Sequence, residues 1–278
     1  MIEAILALLF GLIIGSFLNV CIYRWPRDLS VVKPRSHCTS CEKMIAWYDN
    51  VPVVSYLLLG GRCRYCRAPI SWRYPVVELA TGLLFFYWVY VDGVTPLAIK
   101  MCIFSALLVG LIFADLEERI LPDEMTKGGI VLGLIFAWFV KIDDFGGQGI
   151  LGLMWMFGLH IPERYASIAQ AAIGAGLPSF FLWAGGFLYE KVRHREGLGF
   201  GDVKLVAMVG AFLGLQPALL TLLMGSLAGA VLGYAYIRLT HKDPSTYELP
   251  FGTFLGVAAL GVGYFTDVIA PWYTKLGT

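Results

Sequence analysis

The stretch Leu198-Gly199-Phe200-Gly201-Asp202-Val203-Lys204-Leu205 places one carboxylate between two glycines and a long apolar run. A carboxylate at the edge of bilayer hydrocarbon is costly, so its presence there indicates a functional site. Because Gly199 and Gly201 carry no Cβ, the backbone of a substrate can approach both of them closely. A helix cap or a turn is the alternative interpretation of Asp202, since Asp and Gly are both common at such places.

The composition is that of a membrane protein. Of the 278 residues, 58% are hydrophobic and 15% are charged, whereas soluble domains carry about 25% charged residues. The mean hydropathy is +0.71, which excludes an ordinary soluble domain. The net charge of +1 gives no indication of a nucleic-acid partner. The first apolar run has no basic region before it and is long enough to span, so we expect a retained helix and not a signal peptide.

Eight apolar segments are expected to cross the bilayer, and the fold class is therefore all-α and polytopic. Their ranges are 4–22, 76–91, 96–114, 126–140, 166–189, 203–215, 217–237 and 252–270. A tight turn at Gln216-Pro217 is expected to separate the sixth and seventh segments, and a single broken helix is the alternative. If the polar region 23–75 is cytoplasmic, 17 of the 21 Lys and Arg residues fall on the cytoplasmic side, as the positive-inside rule requires.

This pattern predicts three parts of the chain and one unusual connection. The parts are a first transmembrane helix (1–22), a small cytoplasmic zinc-binding domain (23–75) and a transmembrane peptidase domain (76–278). The stretch 142–165 contains only ten consecutive apolar residues, which are too few to span the bilayer. We expect a short helix in the far interface, with Trp155 at headgroup depth and His160 solvated.

The cysteines of the first polar region have the spacing of a metal site. Cys38-Thr39-Ser40-Cys41 is followed after 21 residues by Cys63-Arg64-Tyr65-Cys66. Two C-x-x-C knuckles at this separation predict a four-thiolate zinc site, and four protein ligands leave no open position, so the role is structural. Two disulfides or free thiols are the alternative, and the reducing cytosol disfavours disulfides. Cys21 and Cys102 lie in predicted spans and are interpreted as packing residues.

A second aspartate lies at the same membrane edge as Asp202. Asp115 ends the third predicted span, and Asp202 begins the sixth. Two neighbouring carboxylates can hold one proton between them, which supplies an acid and a base as in aspartic proteases. Asp123 is the rival for the first carboxylate, but it follows Pro122 and is interpreted as a helix N-cap.

Several motifs resemble those of the type IV prepilin peptidases, a family of G-x-G-D aspartyl peptidases, over nearly the whole chain. Besides Gly199-Phe200-Gly201-Asp202 and the segment that follows Asp115, they are Gly15-Ser16-Phe17-Leu18-Asn19-Val20, Asn50-Val51-Pro52-Val53-Val54-Ser55-Tyr56, Arg73-Tyr74-Pro75-Val76-Val77-Glu78 and Pro250-Phe251-Gly252. The chain departs from the family at 142–165, which is longer than the usual connection, and at Thr253, where a proline is more usual.

The resemblance implies a bifunctional enzyme of the bacterial inner membrane. It would cleave the leaders of type IV prepilins and type II secretion pseudopilins at the cytoplasmic face, and would then methylate the new amino terminus with S-adenosylmethionine. The catalytic aspartates of the family fall on Asp115 and Asp202, and the knuckles resemble those of its zinc-containing branch. Its partners would be these substrates and the lipid bilayer.

The methyltransferase half has no signature in the sequence. No glycine-rich cofactor motif is present, so the S-adenosylmethionine site is unknown, as is the oligomeric state. Glu78 either binds an amine or cofactor or pairs with Arg73. Two other functions stay open: a peptidase without methyl transfer, and an ion-binding transporter. The transporter would carry its acidic residues near mid-membrane, whereas Asp115 and Asp202 are expected at one edge.

Overall fold

The computed structural model describes residues 1–142, 145–158, 162–194, 197–240 and 249–276. These residues form ten α-helices and no β-strand. The helices are α1 (Ile2–Arg24), α2 (Val54–Leu58), α3 (Arg73–Asp92), α4 (Pro96–Glu118), α5 (Asp123–Phe139), α6 (Phe145–Met156), α7 (Glu163–Arg193), α8 (Phe200–Leu213), α9 (Leu215–Thr240) and α10 (Phe251–Leu276).

The predicted all-helical, multi-pass membrane fold is confirmed, and each of the eight predicted spans falls on a helix. Five helices of the described part (α1, α3, α4, α7 and α9) are long and apolar enough to cross a bilayer. Helices α5 and α8 have 17 and 14 residues, and the apolar part of α10, Phe251–Phe265, is also short. The number of crossings, eight, therefore stays a prediction.

The chain divides into two compact units, Met1–Ala114 and Asp115–Thr278. In the first unit, α1 packs on α3 through glycines four residues apart. A Cβ on Gly11 would lie 2.8 Å from the Cα of Gly82, and a Cβ on Gly15 would lie 2.6 Å from the Cα of Glu78. Small residues at this spacing let two membrane helices approach closely. The division of the sequence at 22 and 75 stays a prediction.

The polar segment between α1 and α3 is held by charged side chains. Arg24 at the end of α1 is buried and donates to the carbonyl oxygens of Ser30 at 2.8 Å and Pro34 at 2.7 Å. Arg64 binds Asp49 through two parallel hydrogen bonds of 2.7 and 2.5 Å. The hydrogen bond from Arg64 lowers the pKa of the Asp49 carboxyl below its usual value. These contacts hold together a long segment that contains little regular secondary structure.

In the second unit, α8 is the central helix. Its residues from Val203 to Leu213 are mostly buried, and α5, α7, α9 and α10 all contact it. The approach to α7 is closest at two glycines, because a Cβ on Gly210 would overlap the carbonyl oxygen of Gly174. Because α8 is surrounded by other helices and has little contact with lipid, its 14 residues need not match the length of a lipid-facing span.

Two details of the second unit differ from expectation or fall outside the described residues. The turn between the sixth and seventh segments lies at Gly214, which has φ +97°, and not at Gln216-Pro217. Glycine adopts this angle without strain, while Pro217 lies in the first turn of α9, where no N–H is needed. In 142–165 the short helix is α6, on which Trp155 is exposed, whereas His160 lies outside the described residues.

Candidate active site and metal centre

Asp115 lies in the last turn of α4 and its side chain is buried, with 5% of the residue exposed. One oxygen, Oδ2, accepts two hydrogen bonds from Thr253 at the start of α10. The backbone N–H of Thr253 donates at 2.5 Å and its hydroxyl donates at 2.8 Å. Thr253 thus binds the first predicted catalytic carboxylate, a contact that no sequence motif indicated.

Asp202 lies in the first turn of α8, which begins after Gly199 as its N-cap. An acidic side chain in a first turn is favoured by the helix dipole. The residue is partly buried. Gly201 beside it contacts Leu121, and Leu121 also contacts Gly252, which lies against Asp115. The two predicted carboxylates therefore both lie near Leu121 within the second unit, and their action as a pair stays a prediction.

The glycines beside Asp202 have neighbours of their own. A Cβ on Gly199 would lie 3.2 Å from Oδ2 of Asp202, and a Cβ on Gly201 would lie 3.1 Å from the Cβ of Leu121. Leu121 also contacts Gly252, where a Cβ would lie 2.9 Å from its Cδ1. Both Gly201 and Gly252 thus make room for Leu121. The predicted approach of a substrate backbone to Gly199 and Gly201 stays a prediction.

Asp123, the rival carboxylate, is held by two lysines. It is the first residue of α5, whose N-cap is Pro122, so its interpretation as an N-cap was wrong by one position. One carboxylate oxygen pairs with Lys204 of α8, and the other lies 2.6 Å from Nζ of Lys127. The side chain is 46% exposed. These contacts indicate a structural ion pair.

The four predicted zinc ligands lie together in the first unit. The sulfur atoms of Cys38, Cys41, Cys63 and Cys66 all lie within 4.8 Å of one another, and no disulfide joins them. The Sγ atoms of Cys38 and Cys66 are 3.8 Å apart. A tetrahedral zinc ion with bonds of about 2.3 Å requires a sulfur separation of about 3.8 Å. The donor set and its spacing therefore fit zinc.

The two knuckles have the same backbone conformation. The N–H of Cys38 bonds to the carbonyl of Lys43 and that of Cys63 to the carbonyl of Ala68, both at 2.9 Å. The residue after each pair of cysteines, Glu42 or Arg67, has a positive φ of 58° or 60°. Backbone N–H groups of Cys66 and Tyr65 point at the Cys63 sulfur and lower the pKa of that thiol to about 6. Burial and the neighbouring sulfurs raise the pKa of the Cys66 thiol to about 11, so Cys63 loses its proton before Cys66.

Glu78 of α3 has a structural contact in the same unit. Its carboxylate is buried and accepts a hydrogen bond of 2.7 Å from the N–H of Val53. Val53 has φ +60°, which is unfavourable for a β-branched residue. The carboxylate therefore stabilises a strained loop next to α2. Sequence periodicity carries no signal for such a contact.

Comparison with known proteins gives one consistent result. Residues 9–91 match the family described as Bacterial Peptidase A24 N-terminal domain, and residues 102–234 match the Type IV leader peptidase family. A protein of Pseudomonas aeruginosa is 35% identical over 291 residues, which are 96% of this chain and 92% of that protein. A protein of Stutzerimonas stutzeri is 34% identical, over 97% and 93% of the two chains.

A third relative, from Myxococcus xanthus, is 41% identical over 239 residues. The match covers 86% of this chain and 64% of that relative, so the chain spans under two thirds of its length. All three relatives carry the name Prepilin leader peptidase/N-methyltransferase. No solved structure matches the chain.

Proposed function

The chain belongs to the type IV leader peptidase family, and on this premise we propose that it cleaves the leaders of prepilins and then methylates the new amino terminus. Asp115 and Asp202 are the catalytic pair of the cleavage step. The observation that supports them is their position. Asp115 lies in the last turn of α4 and Asp202 in the first turn of α8, and the glycines beside them, Gly252 and Gly201, both contact Leu121.

The carboxylate pair accounts for both proton transfers of amide hydrolysis. One carboxylate takes a proton from a water molecule, and the oxygen of that water attacks the scissile carbonyl carbon. The protonated partner then gives its proton to the leaving nitrogen, and the C–N bond breaks. At the end the pair again holds one proton, so no covalent enzyme intermediate is needed.

The membrane sets the depth at which the cleavage site of the substrate lies. A prepilin carries an apolar helix after a charged leader, so its cleavage site lies at headgroup depth. The bias of Lys and Arg in the loops puts the polar segment 23–75 and both aspartates on the cytoplasmic side. The enzyme then acts at the cytoplasmic face of the bacterial inner membrane, on type IV prepilins and type II secretion pseudopilins.

Methyl transfer is the second activity of this proposal, and S-adenosylmethionine is its methyl donor. The names of the relatives support this activity. The residues that bind the donor are unknown. Glu78 is assigned a structural role, because its carboxylate accepts the N–H of Val53.

A zinc ion held by Cys38, Cys41, Cys63 and Cys66 has a structural role in this proposal. Four thiolates fill a tetrahedral site, so no position is left for water or substrate. The ion would supply folding energy to a loop with little core of its own. The two proton transfers proceed on the aspartates alone.

Leader cleavage of a purified prepilin in liposomes tests the catalytic pair. The parent is compared with Asp115→Asn and Asp202→Asn, which keep the size of the side chain and remove the titratable group. Both variants are expected to lose at least 99% of the cleavage rate while they keep the thermal midpoint of the parent. Asp28→Asn is the matched control, because Asp28 is exposed and its φ of 54° suits asparagine.

Methylation of the cleaved product is measured in the same samples, with S-adenosylmethionine labelled in its methyl group. Labelled product from the parent supports the bifunctional enzyme, whereas cleavage without label would leave a peptidase alone. If Asp115→Asn or Asp202→Asn cleaves at the rate of the parent, that residue is not catalytic.

A further inference from the structure

Thr253 offers Asp115 two hydrogen-bond donors that end on the same oxygen. The N–H donates at 2.5 Å and the hydroxyl at 2.8 Å, both to Oδ2. Gly252 makes this contact possible, because a Cβ there would lie 3.1 Å from Cγ of Asp115. The contact joins α4 to α10, two helices that are far apart in the sequence.

We propose that Thr253 is a positioning residue, which fixes the orientation of the Asp115 carboxyl group for the cleavage step. This inference rests on the proposed function. Two donors on Oδ2 hold that oxygen in place and fix the plane of the carboxyl group, so Oδ1 is the oxygen that takes part in the proton transfers.

The position of Thr253 in α10 explains why its N–H is available. It is the third residue of the helix, and the first turn of a helix has no internal acceptors for its N–H groups. A carboxylate next to such a terminus is also favoured by the helix dipole. Asp115 therefore acts as the acceptor for the start of α10, although it belongs to another helix.

The side chain adds the second donor, and here the residue type matters. Proline is the more usual residue at this position in the type IV prepilin peptidases. It has neither an N–H nor a hydroxyl, and it fits a first helical turn equally well. Threonine at this position brings both donors to Asp115. The orientation of Asp115 in this chain thus depends on a residue that the family motif does not require.

Substitutions at position 253 separate the hydroxyl from the size of the side chain. Thr253→Val keeps the shape and the N–H but removes the hydroxyl, and Thr253→Ala removes it with a smaller side chain. Thr253→Ser keeps both donors. A hydrogen bond to a charged group is stronger than one between neutral groups. Loss of the hydroxyl is therefore expected to lower kcat about tenfold in both the Val and the Ala variant.

The readout that distinguishes positioning from folding is the separation of kcat from KM. A group that acts only on the reacting carboxylate lowers kcat and kcat/KM together and leaves KM unchanged. Thr253→Ser is expected to keep at least half of the parent kcat, and Thr253→Pro to fall at least as far as Thr253→Val. Thermal midpoints are recorded for every variant, since only folded protein is compared.

Thr221→Val is the matched control for the same chemical change. Thr221 lies on α9, is fully buried, and its hydroxyl has no hydrogen-bond partner among the described residues. The kcat of Thr221→Val is expected to equal that of the parent. The inference is overturned if Thr253→Val retains the parent kcat, if Thr253→Ser loses as much as Thr253→Val, or if KM alone changes.

The same assay distinguishes a failure of the positioning role of Thr253 from a failure of the catalytic assignment of Asp115. Cleavage by Asp115→Asn would overturn the catalytic assignment whatever the result at Thr253. If Asp115→Asn is inert and Thr253→Val is unchanged, the catalytic pair stands and the positioning role fails.

Discussion

The ammonium group of Lys204 pairs with the carboxylate of Asp123, and this contact joins α8 to the first residue of α5. Lys204 lies two residues after Asp202 on the same helix. The pair therefore links the start of α5 to the helix that carries one predicted catalytic carboxylate. The contact also occupies the carboxylate of Asp123, which is the alternative to Asp115 as the first catalytic residue.

Asp123→Asn is expected to cleave prepilin within about twofold of the parent rate. Its side chain is half-exposed, and exposed ion pairs contribute about 0–1 kcal/mol, so the free energy of unfolding should change little. The measurement is the leader-cleavage rate beside that of Asp115→Asn. An inert Asp123→Asn together with an active Asp115→Asn would move the catalytic assignment to Asp123.

Purified protein is expected to contain about one zinc ion per chain, measured by atomic emission, and Cys63→Ser is expected to lose it. Cys102→Ala should keep the metal, because Cys102 is a buried residue of α4 outside the cluster. Loss of the metal should expose the loop to proteolysis near Cys38 and Cys66, since a closed thiolate site supplies folding energy. Full zinc in Cys63→Ser would disprove the four-thiolate site.

Zinc affinity is expected to fall continuously as the pH is lowered from 8 to 5. In the metal-free cluster, backbone N–H groups lower the pKa of Cys63 to about 6, whereas burial and the neighbouring sulfurs raise the pKa of Cys66 to about 11. Cys66 must therefore release a proton to bind metal over this whole range, and below about pH 6 Cys63 must do so as well. Metal ligands have to be deprotonated, and binding therefore competes with protons. Titration of zinc release between pH 8 and 5 with a coloured chelator measures the effect. Constant affinity over this range would contradict it.

Gly210→Ala is expected to lower the free energy of unfolding by about 1–3 kcal/mol, because the new methyl group overlaps the carbonyl of Gly174 and forces α7 and α8 apart. Gly176→Ala on α7 is the matched control, since a Cβ there meets nothing within 4 Å. Its stability should rise slightly, because alanine favours a helix over glycine. Thermal unfolding in detergent compares the two, and equal midpoints would refute the close contact.

Glu78→Ala is expected to destabilise the first unit by about 1–3 kcal/mol, since it leaves the N–H of Val53 without its acceptor. Glu78→Gln retains an acceptor oxygen and should cost less than Glu78→Ala. The thermal midpoint and the methylation rate are measured on both. A Glu78→Gln variant that is stable but fails to methylate would assign Glu78 to the methyltransferase site and contradict its structural role.

The helices and the metal ligands were predictable from the sequence because their signals are local. Apolar runs of sufficient length predict helices in a membrane, and two C-x-x-C knuckles predict a metal cluster at Cys38, Cys41, Cys63 and Cys66 whatever the fold around them. The turn at Gly214 was missed because Gln216-Pro217 is the stronger local turn signal. Proline is equally suited to a first helical turn, which is where Pro217 lies.

The surroundings of the aspartates could not be predicted in the same way. The contact between Asp115 and Thr253 joins two helices far apart in the chain, and no periodicity records which side chains meet across them. The ion pairs of Asp123 are of the same kind. The sequence carried one hint, because threonine stands at position 253 where the type IV prepilin peptidases more usually have proline. Only the contact with Asp115 shows what this difference does.

Leu121 lies where three helix ends meet. A Cβ on Gly201 at the start of α8 would lie 3.1 Å from its Cβ, and a Cβ on Gly252 at the start of α10 would lie 2.9 Å from its Cδ1. Leu121 follows Asp115 by six residues and is itself buried, so the turn after α4 is wedged between the helices that carry Asp202 and Thr253. The three helix ends around the aspartates are therefore coupled through one side chain, and a shift of any one of them requires the other two to repack.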